Sequence, residues 1–291
     1  MNNGVLLAVS AYLFWGLHPI YWKLLSDVSS TEIVAHRVIW SMIFFIIIIT
    51  IKKEWKDLKN NFINNTNKKT LLLTSFLIGS NWTVYVWAVN SGFIIETSLG
   101  YFISPLVIVL LGVIFLKERL RRIQWFALII ATTGVIVMTF LYGVFPWVGL
   151  YLAGTWGTYG MLRKKLSFSS LEGLAIETAI LSVPAVLFMS YIFGNNTNSF
   201  YNADISTNSL LVGCGIITGL PLMIFIHASK KIQLSLLGIL QYIYPTLIFI
   251  IGAFVYKEPL STVKLMGFIF IWTALLIYSI EGLIYSKIKH R

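Results

Sequence analysis

The sequence predicts an all-α membrane protein of ten transmembrane helices, arranged as two inverted five-helix repeats. Three observations support this prediction: an apolar composition, ten apolar segments of membrane-spanning length, and a partial internal repeat. Of the 291 residues, 57% are hydrophobic and only 11% are charged. Soluble domains carry about 25% charged residues, so this chain has too few charged side chains to cover a surface in water. The apolar stretches are continuous rather than alternating, which favours helices over a β-barrel.

Ten apolar segments of 19 to 23 residues can be drawn along the chain. Each matches the roughly 20 residues that a helix needs to cross a hydrocarbon core of about 30 Å. The segments are residues 4–25, 31–51, 70–91, 96–116, 122–141, 145–163, 171–193, 206–228, 234–256 and 262–284.

The basic residues lie mainly in the breaks between these segments, so the net charge of +11 does not indicate a nucleic-acid partner. With ten spans, 18 of the 22 Lys and Arg residues fall on the side that carries both termini. Lys23, Lys257 and Lys264 fall on the other side, and Arg37 lies within a span. By the positive-inside rule, the chain is expected to cross the cytoplasmic membrane repeatedly, with both termini in the cytoplasm and the lipid bilayer as its solvent.

A shift of 140 residues aligns the chain partly with itself. Seven of the 18 positions in 103–120 are identical to those in 243–260. The identities include Pro105 with Pro245 and the pair Lys117-Glu118 with Lys257-Glu258. Two unrelated apolar helices are expected to share leucines and isoleucines, but not prolines and charged pairs.

The repeat divides the chain into residues 1–143, with spans 1 to 5, and residues 144–291, with spans 6 to 10. Because five is an odd number, the second half is expected to enter the membrane in the opposite sense to the first. Inverted repeats are common in secondary transporters, whose substrate site lies near the membrane midplane between the halves. Some channels share this architecture, so the repeat alone does not decide the function.

Polar side chains inside a bilayer are costly and usually face a cavity or the bundle interior. Arg37 is expected either to bind an anionic or carbonyl group of a substrate, or to pair with a neighbouring helix or reach the outer surface. The amides and phenols suit a neutral or zwitterionic substrate, but interhelical hydrogen bonds are an equal alternative. The candidate substrate-binding residues are Trp15, His18, Arg37, Asn81, Trp82, Tyr85, Tyr101, Trp156, Tyr159, Gln241 and Tyr244.

Three further residues are candidates for proton coupling: Glu96, Glu177 and His227. Each has a structural alternative, namely a helix N-terminal cap for Glu96 and local hydrogen bonds for the other two. Glu177 is the repeat equivalent of Arg37, but inversion puts the two near opposite membrane faces, so a direct salt bridge is not the first expectation.

Prolines within spans bend helices because they lack the backbone N–H. Pro105 and Pro245 are repeat-equivalent, which makes spans 4 and 9 the candidate gating elements. The structural alternative for His18 is a hydrogen bond to a backbone carbonyl that the neighbouring kink at Pro19 leaves free.

No cofactor, metal or nucleotide is expected. The sequence has no Gly-x-x-x-x-Gly-Lys-Ser/Thr motif for ATP phosphates, one cysteine, and four histidines without the close pairing typical of metal sites. An integral-membrane enzyme acting on a lipid or lipid-linked substrate is the main alternative to a transporter, and a channel or sensor is the third.

Six motifs are distributed along the chain: Tyr12-Leu-Phe-Trp-Gly16, His36-Arg-Val-Ile-Trp-Ser41, Gly79-Ser-Asn-Trp82, Trp87-Ala-Val-Asn90, Glu96-Thr-Ser-Leu-Gly-Tyr-Phe-Ile-Ser-Pro-Leu106 and Gln241-Tyr-Ile-Tyr-Pro-Thr246. In these motifs, and over nearly its whole length, the chain resembles the RarD proteins of the EamA branch of the drug/metabolite transporter superfamily. This resemblance implies ten spans in two inverted halves, cytoplasmic termini, and transport of small metabolites or drugs across the cytoplasmic membrane. We therefore expect a small-molecule permease rather than an enzyme, acting by alternating access, as a monomer or homodimer, with export favoured over import.

Overall fold

The computed structural model is helical, with no strand in the residues that it describes. These residues are 3–64, 67–91, 93–143, 145–202, 204–257 and 262–289. The helices are α1 Asn3–Gly16, α2 His18–Lys23, α3 Ser30–Lys52, α4 Trp55–Asn64, α5 Lys68–Asn90, α6 Ile94–Phe115, α7 Arg122–Tyr142, α8 Trp147–Lys165, α9 Ser170–Gly194, α10 Ser199–Asn202, α11 Ile205–Ser229, α12 Leu234–Leu240, α13 Ile243–Ile250 and α14 Thr262–Lys289, and a π-helical turn, Ile251–Val255, follows α13.

Nine segments of the described chain are long and apolar enough to cross a membrane, and they coincide with nine of the ten predicted segments. The remaining predicted segment, residues 145–163, forms helix α8. Its glycines, its aromatic and hydroxyl side chains, and the basic residues of its last turn make it less apolar than the others. Gly157 lets α8 approach α6 closely, because a Cβ there would lie 3.0 Å from the Leu111 side chain.

Two of the predicted spans are broken rather than continuous. The first breaks between α1 and α2, just before Pro19, and the ninth breaks between α12 and α13, just before Pro245. A proline cannot donate to the carbonyl four residues earlier, so each break falls where a helical hydrogen bond is missing. Pro105, the repeat equivalent of Pro245, lies inside the unbroken helix α6. A proline therefore permits a break but does not require one, and the packing around the helix decides whether the helix is broken there.

Charged side chains join helix termini at the end of the bundle where α6 and α14 end and where α7 and α12 begin. We call this the basic end. The Glu118 carboxylate, just after α6, accepts hydrogen bonds from the backbone N–H groups of Leu234 (2.6 Å) and Ser235 (2.8 Å) at the start of α12. Arg121, at the start of α7, forms an ion pair with Glu281 near the end of α14. These contacts hold α6 against α12, and α7 against α14, at the basic end.

At the opposite end of the bundle, Glu32 joins the start of α3 to the segment that follows α9. Its carboxylate accepts hydrogen bonds from the backbone N–H groups of Ser199 (2.8 Å) and Phe200 (3.3 Å). The indole rings of Trp87 and Trp147 lie 5.8 Å apart, which brings the end of α5 next to the start of α8.

Helices α3 and α11 pack with almost no side chain between them. A Cβ atom at Gly215 would lie 2.4 Å from the backbone carbonyl carbon and oxygen of Trp40. The Ser41 hydroxyl donates a hydrogen bond of 3.2 Å to the Gly215 carbonyl at the same crossing. Close backbone approach at small residues is the usual way that helices associate where no water drives them together.

We expect Gly215→Ala to lower the thermal stability of the purified protein, because overpacking a close contact typically costs about 1–3 kcal/mol. Gly154→Ala is the matched control, since among the described residues no atom beyond its own stretch of helix lies within 4 Å of a Cβ at Gly154. Alanine favours a helix over glycine by about 1 kcal/mol, so the control is expected to keep or raise the melting temperature. Equal melting temperatures for both variants would contradict the proposed α3–α11 contact.

Candidate functional site

A cavity of about 450 Å³ lies among α1, α2, α3, α5, α6, α8 and the broken pair α12–α13. Its volume falls within the range of small-molecule binding sites. The described lining residues are Tyr12, Trp15, His18, Pro19, Trp22, Arg37, Asn81, Trp82, Tyr85, Thr97, Gly100, Tyr101, Ser104, Leu152, Trp156, Gln241, Tyr244 and Ile248. Most of these residues lie in the parts of their helices that are farther from the basic end. The cavity therefore occupies the half of the bundle opposite the basic end.

Arg37 enters this cavity from α3 and is held by three contacts. Its Nε–H donates to the Thr218 hydroxyl of α11 at 3.0 Å. Its guanidinium carbon lies 5.1 Å from the ring centre of Trp22 and 5.0 Å from that of Trp82. Both distances suit cation–π attraction. Arg37 therefore pairs with a neighbouring helix and lines the cavity at once, so the two expected roles are not exclusive.

His18 is buried beside Arg37 and contacts α11. Its Nε2 lies 3.1 Å from the backbone carbonyl oxygen of Ile217. That carbonyl is four residues before Pro221, which has no N–H to donate to it. Since a carbonyl only accepts, the imidazole donates this hydrogen bond. The expected partner, a carbonyl freed by the kink at Pro19, was therefore the wrong one: the free carbonyl belongs to another helix.

The cavity amides are engaged in hydrogen bonds between helices. Asn81 donates from Nδ2 to the Thr155 hydroxyl at 2.8 Å and to a backbone carbonyl of α8. Gln241 donates from Nε2 to the Ser104 hydroxyl at 2.9 Å and accepts from the Trp156 indole N–H at 3.3 Å. These bonds fix the positions of α5, α6, α8 and the α12–α13 break around the cavity.

Three tyrosines form a cluster opposite Arg37. The ring centres of Tyr85 and Tyr101 are 6.2 Å apart, and those of Tyr101 and Tyr244 are 5.1 Å apart. Tyr101 is in ring contact with both neighbours. The three phenols are close enough to Arg37 to interact electrostatically with its charge. The cluster thus presents phenol groups, rather than carboxylates, towards the guanidinium.

Packed aromatic rings close the cavity towards the basic end. The rings of Trp15 and Trp156 are 5.4 Å apart, and that of Phe225 lies 5.4 Å from Trp15 and 5.1 Å from Trp156. Tyr159 lies beneath this aromatic layer, fully buried, and does not belong to the described cavity lining. Of the eleven predicted substrate-binding residues, ten line the cavity and Tyr159 does not.

Beneath the aromatic layer, Glu177 of α9 and Arg163 of α8 form a buried ion pair. Both side chains are at most 1% exposed, and Arg163 Nε lies 3.6 Å from the Glu177 carboxylate. The same carboxylate accepts hydrogen bonds from the hydroxyls of Thr74 (2.5 Å) and Tyr159 (3.1 Å). Side chains of α5 and α8 thus together compensate the negative charge of Glu177.

Arg163 is less well satisfied than its partner. Nη2 donates to the carbonyls of Ser169 and Ser170 at 3.5 and 3.3 Å, whereas Nε and Nη1 are buried without a hydrogen-bond partner among the described residues. Gly173 makes room for it, because a Cβ there would lie 2.0 Å from Nη1. Sequence reasoning assigned Arg163 to the cytoplasmic basic residues and missed this role. The usable signal was Glu177 itself, a carboxylate within a span that requires a partner.

Two lysines tie α8 and α11 to the loops of the basic end. Lys164 donates from Nζ to the Ser229 carbonyl at 2.7 Å, and Lys230 donates to the Leu166 carbonyl at 2.8 Å. Burial, and then the nearby charge of Arg163, lower the pKa of Lys230. Together with Arg163, these cations cap backbone carbonyls and hold the basic end shut.

The remaining predicted residues lie away from the cavity or cannot be placed. His227 is exposed on α11. The side chain of Glu96 and all of Glu258 lie outside the described residues. Within the described part of the chain, no group of three His, Cys, Asp or Glu residues is arranged to hold a metal ion.

We expect Glu177→Gln and Arg163→Met each to lower the unfolding free energy strongly, by about 3–5 kcal/mol, since each leaves an uncompensated buried group. The combined Arg163→Met and Glu177→Gln variant is expected to lose less than the sum of the two single losses. The exposed pair of Lys52 and Glu54, at 3.9 Å, is the control, and Glu54→Gln is expected to change stability by under about 1 kcal/mol. Additive losses in a thermal unfolding series would show that the buried residues are not coupled.

Comparisons with known proteins identify the family. A family model described as the EamA-like transporter family matches residues 2–140 and again 146–280. A Bacillus subtilis protein named uncharacterized transporter YojE is 42% identical, covering 99% of this chain and 95% of the relative. The Escherichia coli protein RarD is 41% identical, covering 97% of this chain and 95% of the relative.

A solved crystal structure shares the fold, with a TM-score of 0.73 over 96% of both chains at 17% identity. The curated relatives confirm the resemblance to RarD proteins that the motifs indicate. The chain is a multi-pass membrane transporter that belongs to the EamA-like transporter family, in its RarD branch.

Proposed function

We propose that the chain is a secondary transporter that moves a small metabolite or drug-like molecule across the cytoplasmic membrane by alternating access. The observation that carries this proposal is the contrast between the two halves of the bundle. One half holds the cavity around Arg37, and the other is closed by the aromatic layer, the pair of Arg163 and Glu177, and the lysines of the basic end. A site accessible from one side only is what alternating access requires of each end state.

Ten spans in two inverted repeats, residues 1–143 and 144–291, are the proposed frame. The double match of the family model supports the duplication. Two contacts across the cavity also support a two-fold relation between the halves. Under the 140-residue shift, Tyr101 corresponds to Gln241 and Tyr244 corresponds to Ser104. The ring contact of Tyr101 with Tyr244 therefore has its counterpart in the hydrogen bond between Gln241 and Ser104.

A second pair of contacts supports the inversion. Glu32, on α3, binds the loop after α9 at the opposite end. Its repeat equivalent Glu172, on α9, accepts a hydrogen bond of 2.7 Å from Asn61 of α4, the helix that follows α3, at the basic end. The equivalent helices α3 and α9 therefore start at different ends of the bundle, as two halves inserted in opposite senses require.

The positive-inside rule places the basic end, with both chain termini, in the cytoplasm. The cavity then faces the outside, and α8 crosses the membrane as the tenth span despite its lower hydropathy. Gly149 and Gly157 pack against α6, and Thr155 accepts a hydrogen bond from Asn81 of α5, so these residues face the protein rather than lipid.

Cysteine labelling tests this topology on a Cys214→Ala background. We expect an impermeant thiol reagent to label Phe145→Cys from outside intact cells, and Lys165→Cys only after permeabilisation, because α8 separates the two positions. Asn196→Cys and Lys56→Cys are the matching outer and inner controls. Labelling of both α8 positions from one side would exclude α8 as a span.

Alternating access also needs a second arrangement in which the basic end opens. A shift by 140 residues brings Arg37 onto Glu177, Cys214 onto Thr74 and Lys23 onto Arg163. The buried cluster around Glu177 is thus the repeat counterpart of the cavity wall around Arg37. We propose that the two halves exchange conformations, so that the Glu177 region becomes the inward-facing cavity wall.

Helix α6 and the broken pair α12–α13 are the proposed gating elements. They cross so closely that a Cβ at Gly238 would lie 2.8 Å from the Pro105 carbonyl oxygen. Pro245 follows the break in the other helix. A helix interrupted at its middle can change its bend with the loss of few hydrogen bonds, which suits a gate.

Glu177 is the proposed proton-coupling group, because it connects three helices of the closed half and its carboxylate balances a buried cation. His227 is exposed on α11, and with Glu96 it remains a second candidate. Export is the proposed direction, and the protein is proposed to act as a monomer or homodimer.

Transport by the purified protein in liposomes tests the function. A panel of small metabolites is offered with and without a pH gradient, and we expect saturable movement of at least one solute. Ser104→Trp is expected to abolish it by filling the cavity, whereas Thr133→Trp, at an exposed position of α7, is expected to retain it. If no solute moves under any gradient while folding is intact, or if both variants behave alike, the proposal fails.

A further inference from the structure

The polar groups of the cavity favour one kind of substrate charge. Arg37 is the cation of the described lining, and no Asp or Glu side chain is among the lining residues that the structure describes. The guanidinium carries five N–H donors in one plane. Among the described residues, only its Nε has a recorded hydrogen-bond acceptor, Thr218. The terminal nitrogens are therefore left to a ligand with acceptor atoms.

The orientation of Arg37 suits a planar anion. Trp22 and Trp82 flank the guanidinium at 5.1 and 5.0 Å, and the bond to Thr218 prevents rotation about the end of the side chain. A fixed guanidinium edge matches the two oxygens of a carboxylate, which accept two parallel hydrogen bonds. Between apolar helices the effective dielectric constant is lower than in bulk water, so such a pair is stronger than at a surface.

The other polar groups leave little for a cationic part of a ligand. A cationic group needs acceptor atoms, and the carbonyl oxygen of Gln241 already accepts a hydrogen bond from the Trp156 indole. The nearby tyrosines, Tyr85, Tyr101 and Tyr244, bring neutral phenols. A ligand ammonium close to Arg37 would meet charge repulsion without a described carboxylate to offset it.

The walls supply aromatic surface for the rest of the ligand. The indoles of Trp15, Trp82 and Trp156 line the cavity, and rings of Tyr101 and Tyr244 stand beside them. Aromatic rings stack on one another favourably in offset or edge-to-face arrangements. A cavity of about 450 Å³ has room for a ring with a short side chain.

We propose that the substrate class is an aromatic monocarboxylic acid in its anionic form, with its carboxylate on Arg37 and its ring among the three tryptophans. This inference rests on the proposed transport function and names the chemistry of the same cavity. It separates an aromatic acid from the corresponding amine and from the amino acid, which carry an ammonium group.

A matched ligand series tests the charge preference. Phenylacetate, phenylacetamide, 2-phenylethylamine and phenylalanine share one ring and differ in their polar groups. Binding to the purified protein is followed by quenching of tryptophan fluorescence and by the shift in melting temperature. We expect phenylacetate to bind about 10- to 100-fold more tightly than the other three, as the loss of a hydrogen-bonded charge pair predicts.

Substitutions of Arg37 provide the second test of the charge preference. Arg37→Gln is expected to remove the preference for phenylacetate over the amide, and Arg37→Lys to retain the charge preference with weaker binding. Lys23→Gln is the matched control, because Lys23 is an exposed cation outside the described cavity lining, whose Nζ lies over the Tyr256 ring. It is expected to bind phenylacetate as the unaltered protein does. If Arg37→Gln does not fold, the ligand series on the unaltered protein decides alone.

Three outcomes would overturn the inference: tighter binding of the amide, the amine or phenylalanine, no binding of any member, or unchanged phenylacetate affinity in a folded Arg37→Gln variant. Liposomes separate the two proposals. Movement of a different solute but not of phenylacetate leaves the transport function standing without the aromatic-acid class, whereas binding of phenylacetate with no solute moving under any gradient contradicts the transport function.

Discussion

A polar side chain in hydrocarbon has no water to bond with, so it must find its partners inside the protein. This constraint accounts for the arrangement of the interior. Arg37 binds Thr218 and lies near two indoles, and Glu177 collects two hydroxyls and a guanidinium. In each case the partners come from different helices, so satisfying one group also fixes the relative positions of two or three spans.

The same constraint explains which features the sequence reveals. Apolar segment length is a property of the chain itself, and it predicted ten spans, nine of which form helices long and apolar enough to cross a membrane. The sequence motifs predicted the family correctly. The tenth span, the inverted arrangement and the orientation in the membrane stay predictions. Ten of the eleven proposed cavity residues do line the cavity, because polar and aromatic side chains in a span have few other places to go.

The partners of the buried polar side chains and the positions of the helix breaks could not be predicted in the same way. Arg163 stands at the edge of a hydrophobic segment, where a basic residue normally reaches the aqueous phase, and only the rotation of α8 buries it against Glu177. His18 bonds to a carbonyl that a proline on another helix exposes. Pro105 and Pro245 are equivalent in sequence but differ in effect. Each outcome depends on helix packing, which one-dimensional patterns do not contain.

The contacts near the centre of the cavity have a mechanical consequence. Tyr242 donates from its hydroxyl to the carbonyl of Phe102 at 3.2 Å, and these two residues are equivalent under the 140-residue shift. The hydrogen bond itself has no counterpart under the shift, because Phe102 lacks a hydroxyl, but the two matching positions of the repeats are in contact here. If the two halves exchange conformations as proposed, matching positions stay matched, and this contact would then lie where the halves move least against each other.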